Sequence, residues 1–328
     1  MKRILSLLTA AVLLLSGCST AASPASEETD TDLISVGVCQ IGAESDWRVA
    51  NSESIKATFT EENGYQLYFE DAQQKQENQF RAIRRFIQQQ VDYIVLMPIT
   101  ETGWESVLQE AREAGIPVIL VDRMVDVEDD TLYATHIGSD FYREGSTAMQ
   151  WLEERTPDGQ PLSIVHIRGT MDSSAQQGRS TALEEALDRH PEWTLLTQLD
   201  GDFTQAKSYE VVNDFLTAQP EPATIDVVYC ENDNEAFGTI QALEENGYPC
   251  GPDGVTVISF DATYNGLELC RQGKIALEVE CNPLLGPLVE QAIQTLETGG
   301  ALPRQQYVDE QTFTPEQVTE TLLQSRTY

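Results

Sequence analysis

The chain has 328 residues, a length that favours two domains over a single hydrophobic core. Its content of 41% hydrophobic and 23% charged residues is ordinary for a soluble globular protein. The formal net charge of −34 at pH 7 argues against nucleic acid as a partner and against docking on anionic lipid head groups, since both need Lys and Arg. We interpret the acid excess as a solvated surface.

The first residues are typical of an export signal. Lys2 and Arg3 form a positive start, and residues 4–15 form an apolar run too short to span a bilayer as a mature helix. Residues 15–18 resemble the bacterial lipobox, in which cleavage precedes a cysteine that then carries a lipid such as palmitate. We therefore predict a signal peptide over 1–17 and a lipidated Cys18, and the alternative is a plain signal peptide with a chance cysteine.

A polar, aperiodic segment separates this start from the folded part of the chain. Residues 18–32 are rich in Ser, Ala, Thr and acidic residues, which predicts a flexible tether. We therefore expect an exported protein that is anchored by its lipid to the outer face of the bacterial cytoplasmic membrane.

From Leu33 onward, short apolar strands alternate with amphipathic helices. The first series comprises strands at 34–39, 66–69, 93–97 and 118–121 and helices at 51–63, 77–90 and 103–114. The second series comprises helices at 143–154, 173–189, 205–218, 234–246 and 284–297 and strands at 162–167, 193–198, 225–230, 255–260 and 275–280, before a polar tail. This alternation predicts an α/β fold with two doubly wound, mainly parallel lobes and a cleft between them.

Five cysteines remain after Cys18, at positions 39, 230, 250, 270 and 281. Because their number is odd, at least one thiol stays unpaired, although disulfides are chemically possible outside the cytoplasm. No CxxC or Cys/His spacing indicates a metal site, and we expect no metal or cofactor. Cys39 and Cys230 lie in apolar runs and are expected to be small buried hydrophobes.

Polar residues follow several of the predicted strands. Asp122 and Arg123 come directly after the unbroken apolar run 116–121, which suits a strand buried on both faces. Ligands bind beyond the carboxyl ends of strands in open α/β sheets, and an Asp-Arg pair matches the vicinal hydroxyls of a sugar. The alternative for this pair alone is a surface turn with two solvated charges.

Other strand ends carry further candidates for a polyol site. They are Ser45, Trp47, Arg48, Thr170, Asn232 and Asp261, with Arg179 in the helix after Thr170 and Phe203 as a second aromatic face for the ring. Each has a structural alternative: Asn232 as a helix cap, Trp47 as core, and Arg48 as a partner of Glu44. Placement at five strand ends is hard to explain by capping alone.

These segments also resemble a known family. Residues 44–48, 71–79, 121–123, 201–204, 231–233 and 260–261 resemble the pentose/hexose-binding proteins of ABC importers. The run 71–79, with 103–105, is most similar to the galactofuranose-binding branch. The resemblance covers nearly the whole chain from Leu33.

The resemblance implies a type I periplasmic-binding fold with a hinge cleft and three crossovers between lobes, two of them at 139–140 and 280–282. It implies one lobe over 33–139 plus about 283–308 and another over 140–282 plus about 309–328. By carry-over, Arg48, Asp122, Arg123, Arg179, Asn232 and Asp261 would hydrogen-bond the sugar, with Trp47 and Phe203 packing on it.

The expected function is therefore to bind a monosaccharide, galactofuranose- or galactose-like or a pentose, and deliver it to an ABC permease as a monomer. An enzyme is not expected, because no G-x-S-x-G elbow, P-loop or G-x-G-x-x-G fingerprint occurs and the chain has only 3 His. Sugar-responsive repressors share such lobes, but here a signal peptide is expected where they carry a DNA-binding helix-turn-helix. A sugar-sensing lipoprotein that presents its closed form to a receptor kinase or chemoreceptor remains the alternative.

Overall fold

The structure is a computed structural model that describes residues 33–328. The predicted signal peptide, the Cys18 lipidation site and the tether lie outside the described residues. The strands are β1 (Ile34–Gln40), β2 (Tyr65–Asp71), β3 (Tyr93–Leu96), β4 (Val118–Val121), β5 (Thr135–Gly138), β6 (Leu162–Arg168), β7 (Trp193–Asp200), β8 (Val227–Cys230), β9 (Thr256–Asp261), β10 (Leu277–Glu280), β11 (Gln305–Tyr307) and β12 (Thr312–Phe313).

Helices alternate with most of the strands, except that no α-helix separates β4 from β5 or β11 from β12. They are α1 (Asp46–Thr58), α2 (Gln76–Gln89), α3 (Glu105–Glu113), α4 (Phe141–Arg155), α5 (Ser174–Arg189), α6 (Gln205–Ala218), α7 (Asp233–Glu245), α8 (Tyr264–Arg271), α9 (Gly286–Glu297) and α10 (Glu320–Ser325).

Two six-stranded sheets form the core of the two lobes, with strand orders β11-β5-β4-β3-β1-β2 and β12-β10-β9-β8-β6-β7. The pairs within the first sheet are parallel. In the second sheet β12 is antiparallel to β10, and the other pairs are parallel. The predicted α/β fold with two doubly wound lobes is confirmed.

Each sheet is covered by helices on both faces. In the first lobe, Val95 packs with α1 and α9 on one face, whereas its neighbours Ile94 and Leu96 pack with α2 and α3 on the other. In the second lobe, Val228 packs with α6 and α7, and Tyr229 packs with α4 and α5. Burial on both faces explains why these strands are unbroken apolar runs rather than alternating ones.

The chain passes between the sheets three times. The first crossover joins β5 to α4 through residues 139–140, the second leads from β10 to α9, and the third joins β11 to β12. The helix α9 packs on the first sheet through Val289 and Ile293, although it follows the second sheet in sequence. We propose that the lobes divide at these crossovers, as the resemblance implies.

The predicted helix over 51–63 was wrong in its bounds. Helix α1 begins at Asp46 because the Ser45 hydroxyl accepts a hydrogen bond from the backbone N–H of Arg48 at 3.1 Å, an N-cap. It ends at Thr58, and a separate 3-10 turn at Glu61–Asn63 follows, closed by Gly64 in the left-handed conformation. The earlier start places Trp47 and Arg48 on the first turn of α1.

Several short elements were not predicted. Strand β5 contains polar Thr135 and His136, which are nonetheless buried between β4 and β11. Helix α8 has only eight residues. The polar tail supplies β11, β12 and α10, whose pairing with distant strands or helices no local pattern indicates.

Among the described cysteines, all five are free thiols. The predicted burial of Cys39 and Cys230 is confirmed, since both side chains are inaccessible.

Candidate functional site

A cavity lies between the lobes at the carboxyl ends of the strands, with about 290 Å³ of empty space that includes its opening to solvent. Nine of the ten predicted ligand-binding residues line it, namely Ser45, Trp47, Arg48, Asp122, Arg123, Arg179, Phe203, Asn232 and Asp261. Their role in binding a ligand stays a prediction, whereas their convergence is an observation.

Thr170 does not line the cavity. Its backbone carbonyl accepts hydrogen bonds from the backbone N–H of Ser173 at 3.3 Å and from the Ser173 hydroxyl at 2.7 Å. The contribution of Thr170 is therefore to the turn that precedes α5.

Arg48 lies between two carboxylates of the first lobe. Its Nε is 3.0 Å from Glu44 Oε1, and its Nη2 is 2.6 Å from Asp122 Oδ2. All three side chains are about 3–5% exposed, so these charge-assisted bonds are shielded from water. The alternative pairing of Arg48 with Glu44 is thus real, and it coexists with a place in the cavity wall.

Arg123 is buried but loosely bound. Its Nη1 donates to the carbonyl of Ile99 at 3.0 Å, whereas its Nε is 3.9 Å from Asp122 Oδ2, beyond hydrogen-bond range. Burial, reinforced by the nearby positive charge of Arg48, lowers the pKa of Arg123 to about 10. A guanidinium with so few close partners is available to a ligand.

In the second lobe, Arg179 pairs with Glu144 of α4. Its Nε and Nη2 lie 2.8 and 2.7 Å from Glu144 Oε2, and its Nη1 donates to the backbone carbonyl of Glu231. Asp261 Oδ1 is 4.0 Å from Nη2. Burial raises the pKa of the Asp261 carboxyl well above its usual range, and the nearby Asp233 adds to this effect.

Two strand ends hold unusual backbone conformations. Asp122 after β4 has φ of 66°, and Asp261 at the end of β9 has φ of 107°. Non-glycine residues rarely adopt such angles, and the strain costs on the order of 1–3 kcal/mol each. Both residues line the cavity, where such strain is commonly stored in functional sites.

Aromatic rings form the apolar part of the cavity wall. Trp47 is 4% exposed and donates its Nε1–H to the carbonyl of Cys281 at 2.6 Å, which ties the first lobe to the second crossover. Phe141 and Phe203 also line the cavity. Trp47 is therefore buried, as the alternative held, while still belonging to the cavity wall.

Asn232 serves two purposes. Its Oδ1 accepts the backbone N–H of Glu235 at 2.8 Å and so caps α7, while its Nδ2 donates to the carbonyl of Phe203 at 3.4 Å. The capping alternative is correct and does not remove Asn232 from the cavity.

Four further residues line the cavity without having been predicted, namely Glu44, Phe141, Ala175 and Cys281. Glu44 lies within the segment that carries the resemblance, so its signal was present. Phe141 directly follows the crossover expected at 139–140, and Cys281 lies within the one expected at 280–282, which was the one available signal for them.

The lips of the cleft touch across the lobes. The backbone N–H of Asp46 donates to Asn234 Oδ1 at 2.9 Å, and that of Glu101 donates to the carbonyl of Asp172 at 2.9 Å. The Gln177 amide donates to Glu101 Oε2 at 2.7 Å. The structure therefore represents a closed cleft.

One cluster in the described residues brings together groups capable of binding a metal. Glu144, Cys281 and Glu310 each offer an atom within 4.8 Å of the others. Because Arg179 already pairs with Glu144 at 2.7 Å, the cluster has a cation of its own, and we assign it to the hinge rather than to a metal.

Comparison with known proteins identifies the family to which the chain is similar. The sequence model of the family described as periplasmic binding protein domain matches residues 36–279. The galactofuranose-binding protein YtfQ of Escherichia coli K12 is 36% identical over 271 residues, covering 82% of this chain and 84% of that protein.

Two solved structures are similar throughout. A Mycobacterium smegmatis protein in complex with β-D-fucofuranose superposes with a TM-score of 0.81 at 39% identity, covering 87% of this chain and 92% of that one. The binding protein of the arabinose ABC transporter of Shewanella sp. ANA-3, bound to α- and β-L-arabinofuranose, gives a TM-score of 0.83 at 36% identity, covering 89% and 95%.

Proposed function

The chain belongs to the periplasmic binding protein domain family, and from this premise we propose that it binds a monosaccharide between its lobes and delivers it to an ABC permease. The three proteins compared above have names or titles that mention a bound sugar, and one is named as part of an ABC transporter. The alternative of a sugar-sensing lipoprotein is not favoured by these relatives. The family is one of binding proteins, and we propose no catalytic step.

One observation carries the proposal. Apart from Arg179 Nη2, which lies 2.7 Å from Glu144 Oε2, four polar atoms on cavity-lining side chains are buried without a hydrogen-bond partner among the described residues: Glu44 Oε2, Arg48 Nη1, Arg123 Nε and Asp261 Oδ2. Buried polar groups are normally satisfied, and each orphan costs about 1–3 kcal/mol. Two guanidinium donors and two carboxyl oxygens beside aromatic walls match the hydroxyls and the C–H face of a sugar.

The charge of the site favours a neutral ligand over an anion. Three buried arginines stand against the carboxyl groups of Glu44, Asp122 and Glu144, and Asp261 adds a carboxyl whose charged form is disfavoured by burial. No excess of positive charge is therefore left for a phosphate or a carboxylate. Sugar phosphates, nucleotides and sugar acids fit such a site less well than a free sugar.

For the ligand we propose a galactofuranose- or galactose-like sugar or a pentose. The proteins compared above are named for galactofuranose, fucofuranose and arabinofuranose, five-membered rings that differ in their substituents. The cavity is bounded by side chains of both lobes and by contacts between the lips of the cleft, an arrangement that suits a single sugar ring rather than an oligosaccharide.

Transport would proceed by closure of the lobes about the three crossovers. A sugar that contacts Arg48 and Arg123 of one lobe and Arg179 and Asp261 of the other shifts the population from open to closed. We propose that the closed form of a monomer then docks on the permease and releases the sugar there.

Location follows from the start of the chain. We propose that residues 1–17 are removed on export and that Cys18 carries the lipid that holds the protein at the outer face of the membrane, with 18–32 as tether. Among residues 33–328, the structure contains no helix that is both long and apolar enough to cross a bilayer.

A thermal-shift panel tests the proposal directly. The purified protein is heated with D-galactose, L-arabinose, D-ribose, D-galactose 6-phosphate, adenosine and an amino acid mixture, because a ligand of the folded state raises Tm by mass action. We expect a rise with one or more neutral sugars and none with the others. A rise confined to nucleosides or amino acids would refute the sugar assignment.

A further inference from the structure

The loop between β7 and α6 carries an aromatic wall of the cavity in a strained conformation. Asp202 and Phe203 are consecutive non-glycine residues with φ of 55° and 59°. The left-handed region costs roughly 1–2 kcal/mol for each such residue, so the loop needs support from its surroundings.

That support comes from both sides of one residue. The backbone N–H of Phe203 donates to Glu235 Oε1 at 2.9 Å, and its carbonyl accepts Asn232 Nδ2 at 3.4 Å. Glu235 lies in the first turn of α7 and is inaccessible to solvent. Its bond to Phe203 crosses 32 positions of sequence, so it belongs to tertiary structure and not to a local turn.

Two glycines make room for this arrangement. A Cβ on Gly169 would lie 2.0 Å from Phe203 Cζ, so the ring lies directly on the backbone that follows β6. A Cβ on Gly201 would lie 2.7 Å from Glu235 Oε1. The Phe203 ring is therefore closely packed against Gly169, and the Glu235 carboxyl is closely packed against Gly201.

The ring also meets the opposite lobe. The guanidinium carbon of Arg123, at the end of β4, is 5.1 Å from the centroid of the Phe203 ring, within cation–π range. A shift of the Phe203 ring would therefore affect the Arg123 guanidinium as well as the apolar wall of the cavity.

We propose that Glu235 is a positioning residue for the sugar site, holding Phe203 in its left-handed conformation so that the ring lies in place against the sugar. This inference rests on the proposed function. Glu235 does not line the cavity, and its effect on affinity passes through Phe203.

Burial, together with the neighbouring Glu231, raises the pKa of the Glu235 carboxyl well above its usual range. The group is therefore close to a neutral amide in its chemistry, and Glu235→Gln keeps an acceptor for the Phe203 N–H. Glu235→Met keeps the length of the side chain and removes the acceptor.

The test is a double-mutant cycle measured by titration calorimetry with L-arabinose and D-galactose. We expect Glu235→Met to weaken binding about tenfold, close to the effect of one lost hydrogen bond, and Glu235→Gln to stay within about twofold of the original protein. Phe203→Ala should weaken binding as well, and Glu235→Met in the Phe203→Ala background should add nothing.

The outcomes distinguish a positioning role of Glu235 from a general contribution to the stability of the fold. If Glu235 only stabilised the fold, Glu235→Met would lower Tm, and its effect on affinity would be the same with or without the Phe203 ring. Additive effects of Glu235→Met and Phe203→Ala on affinity would therefore overturn the inference. Gly169→Ala, which displaces the ring without touching Glu235, should reproduce the loss of affinity. If the unaltered protein bound neither these nor other sugars, the proposed function would fall; sugar binding unchanged in Glu235→Met would overturn the inference alone.

Discussion

The Ser139 hydroxyl donates to Glu310 Oε1 at 2.5 Å, joining the first crossover between the lobes to the third. The backbone N–H of Asn282, on the second crossover, donates to the same oxygen at 2.9 Å. All three connections therefore meet at the carboxyl group of Glu310, and a change at this residue acts on the hinge as a whole.

The raised pKa of Glu310 predicts that the stability of the folded protein depends on pH. Burial raises the pKa of Glu310 from 4.5 to about 9, with Glu144 as the next cause and the Ser139, Asn282 and Arg179 groups acting in the opposite direction. The folded state thus holds a proton that the unfolded chain releases. This contribution is full below pH 4.5 and is lost as the pH rises towards 9.

Glu310→Gln should keep both accepted hydrogen bonds and remove the titration. We expect the free energy of unfolding, measured by denaturant titration from pH 5 to pH 9, to fall less steeply with pH than in the original protein. Glu268→Gln is the control, since the pKa of Glu268 is lowered to about 2 and its titration lies below this window. Equal slopes for Glu310→Gln and the original protein would contradict the expectation.

The sequence predicts the parts of this molecule that depend on local pattern. Buried strands such as β4 appear as unbroken apolar runs, and Asp122 and Arg123 at its end are found in the cavity wall. The cap that starts α1 at Asp46 was missed because a serine hydroxyl outweighs the apolar periodicity that begins later. Glu310 had no local signal at all, since its meaning comes from two crossovers distant in sequence.

Lipidation at Cys18 predicts membrane retention of the exported protein. Cys18→Ala removes the sulfur that would carry the lipid, and we expect the protein to move from the membrane fraction to the soluble fraction when expressed in a bacterial host. Cys250→Ala is the matched control, because Cys250 lies in the second lobe and is partly accessible. Retention of Cys18→Ala with the membrane would refute the lipid anchor.

Arg123 is the clearest test of the cavity as a sugar site. Arg123→Ala removes the buried Nε donor and leaves sugar hydroxyls unpaired in a closed cleft, so affinity should fall by about 100-fold or more. Arg84→Ala, which removes an exposed guanidinium paired with Glu110 at 2.8 Å, should bind normally. Calorimetry measures both variants, and unchanged affinity in Arg123→Ala would place the site elsewhere.

The contact between Asp46 and Asn234 predicts how long the cleft stays closed. Asn234 Oδ1 accepts the backbone N–H of Asp46 across the lobes at 2.9 Å, and this bond exists only when the lips meet. Asn234→Ala should therefore destabilise the closed form without altering the walls of the cavity. We expect sugar to dissociate several-fold faster, about the effect of one neutral hydrogen bond, with little change in its association rate.

Stopped-flow fluorescence of Trp47 and the other tryptophans measures the two rates, because Trp47 lies buried in the cavity wall of the closed form. Asn213→Ala is the control, since Asn213 accepts a hydrogen bond at 3.1 Å from Asn246 within the same lobe. If Asn234→Ala slowed association and left dissociation unchanged, the contact would act on the encounter with the sugar and not on the closed state. A faster dissociation confined to Asn234→Ala would assign to this one bond a measurable share of the energy that holds the lobes together.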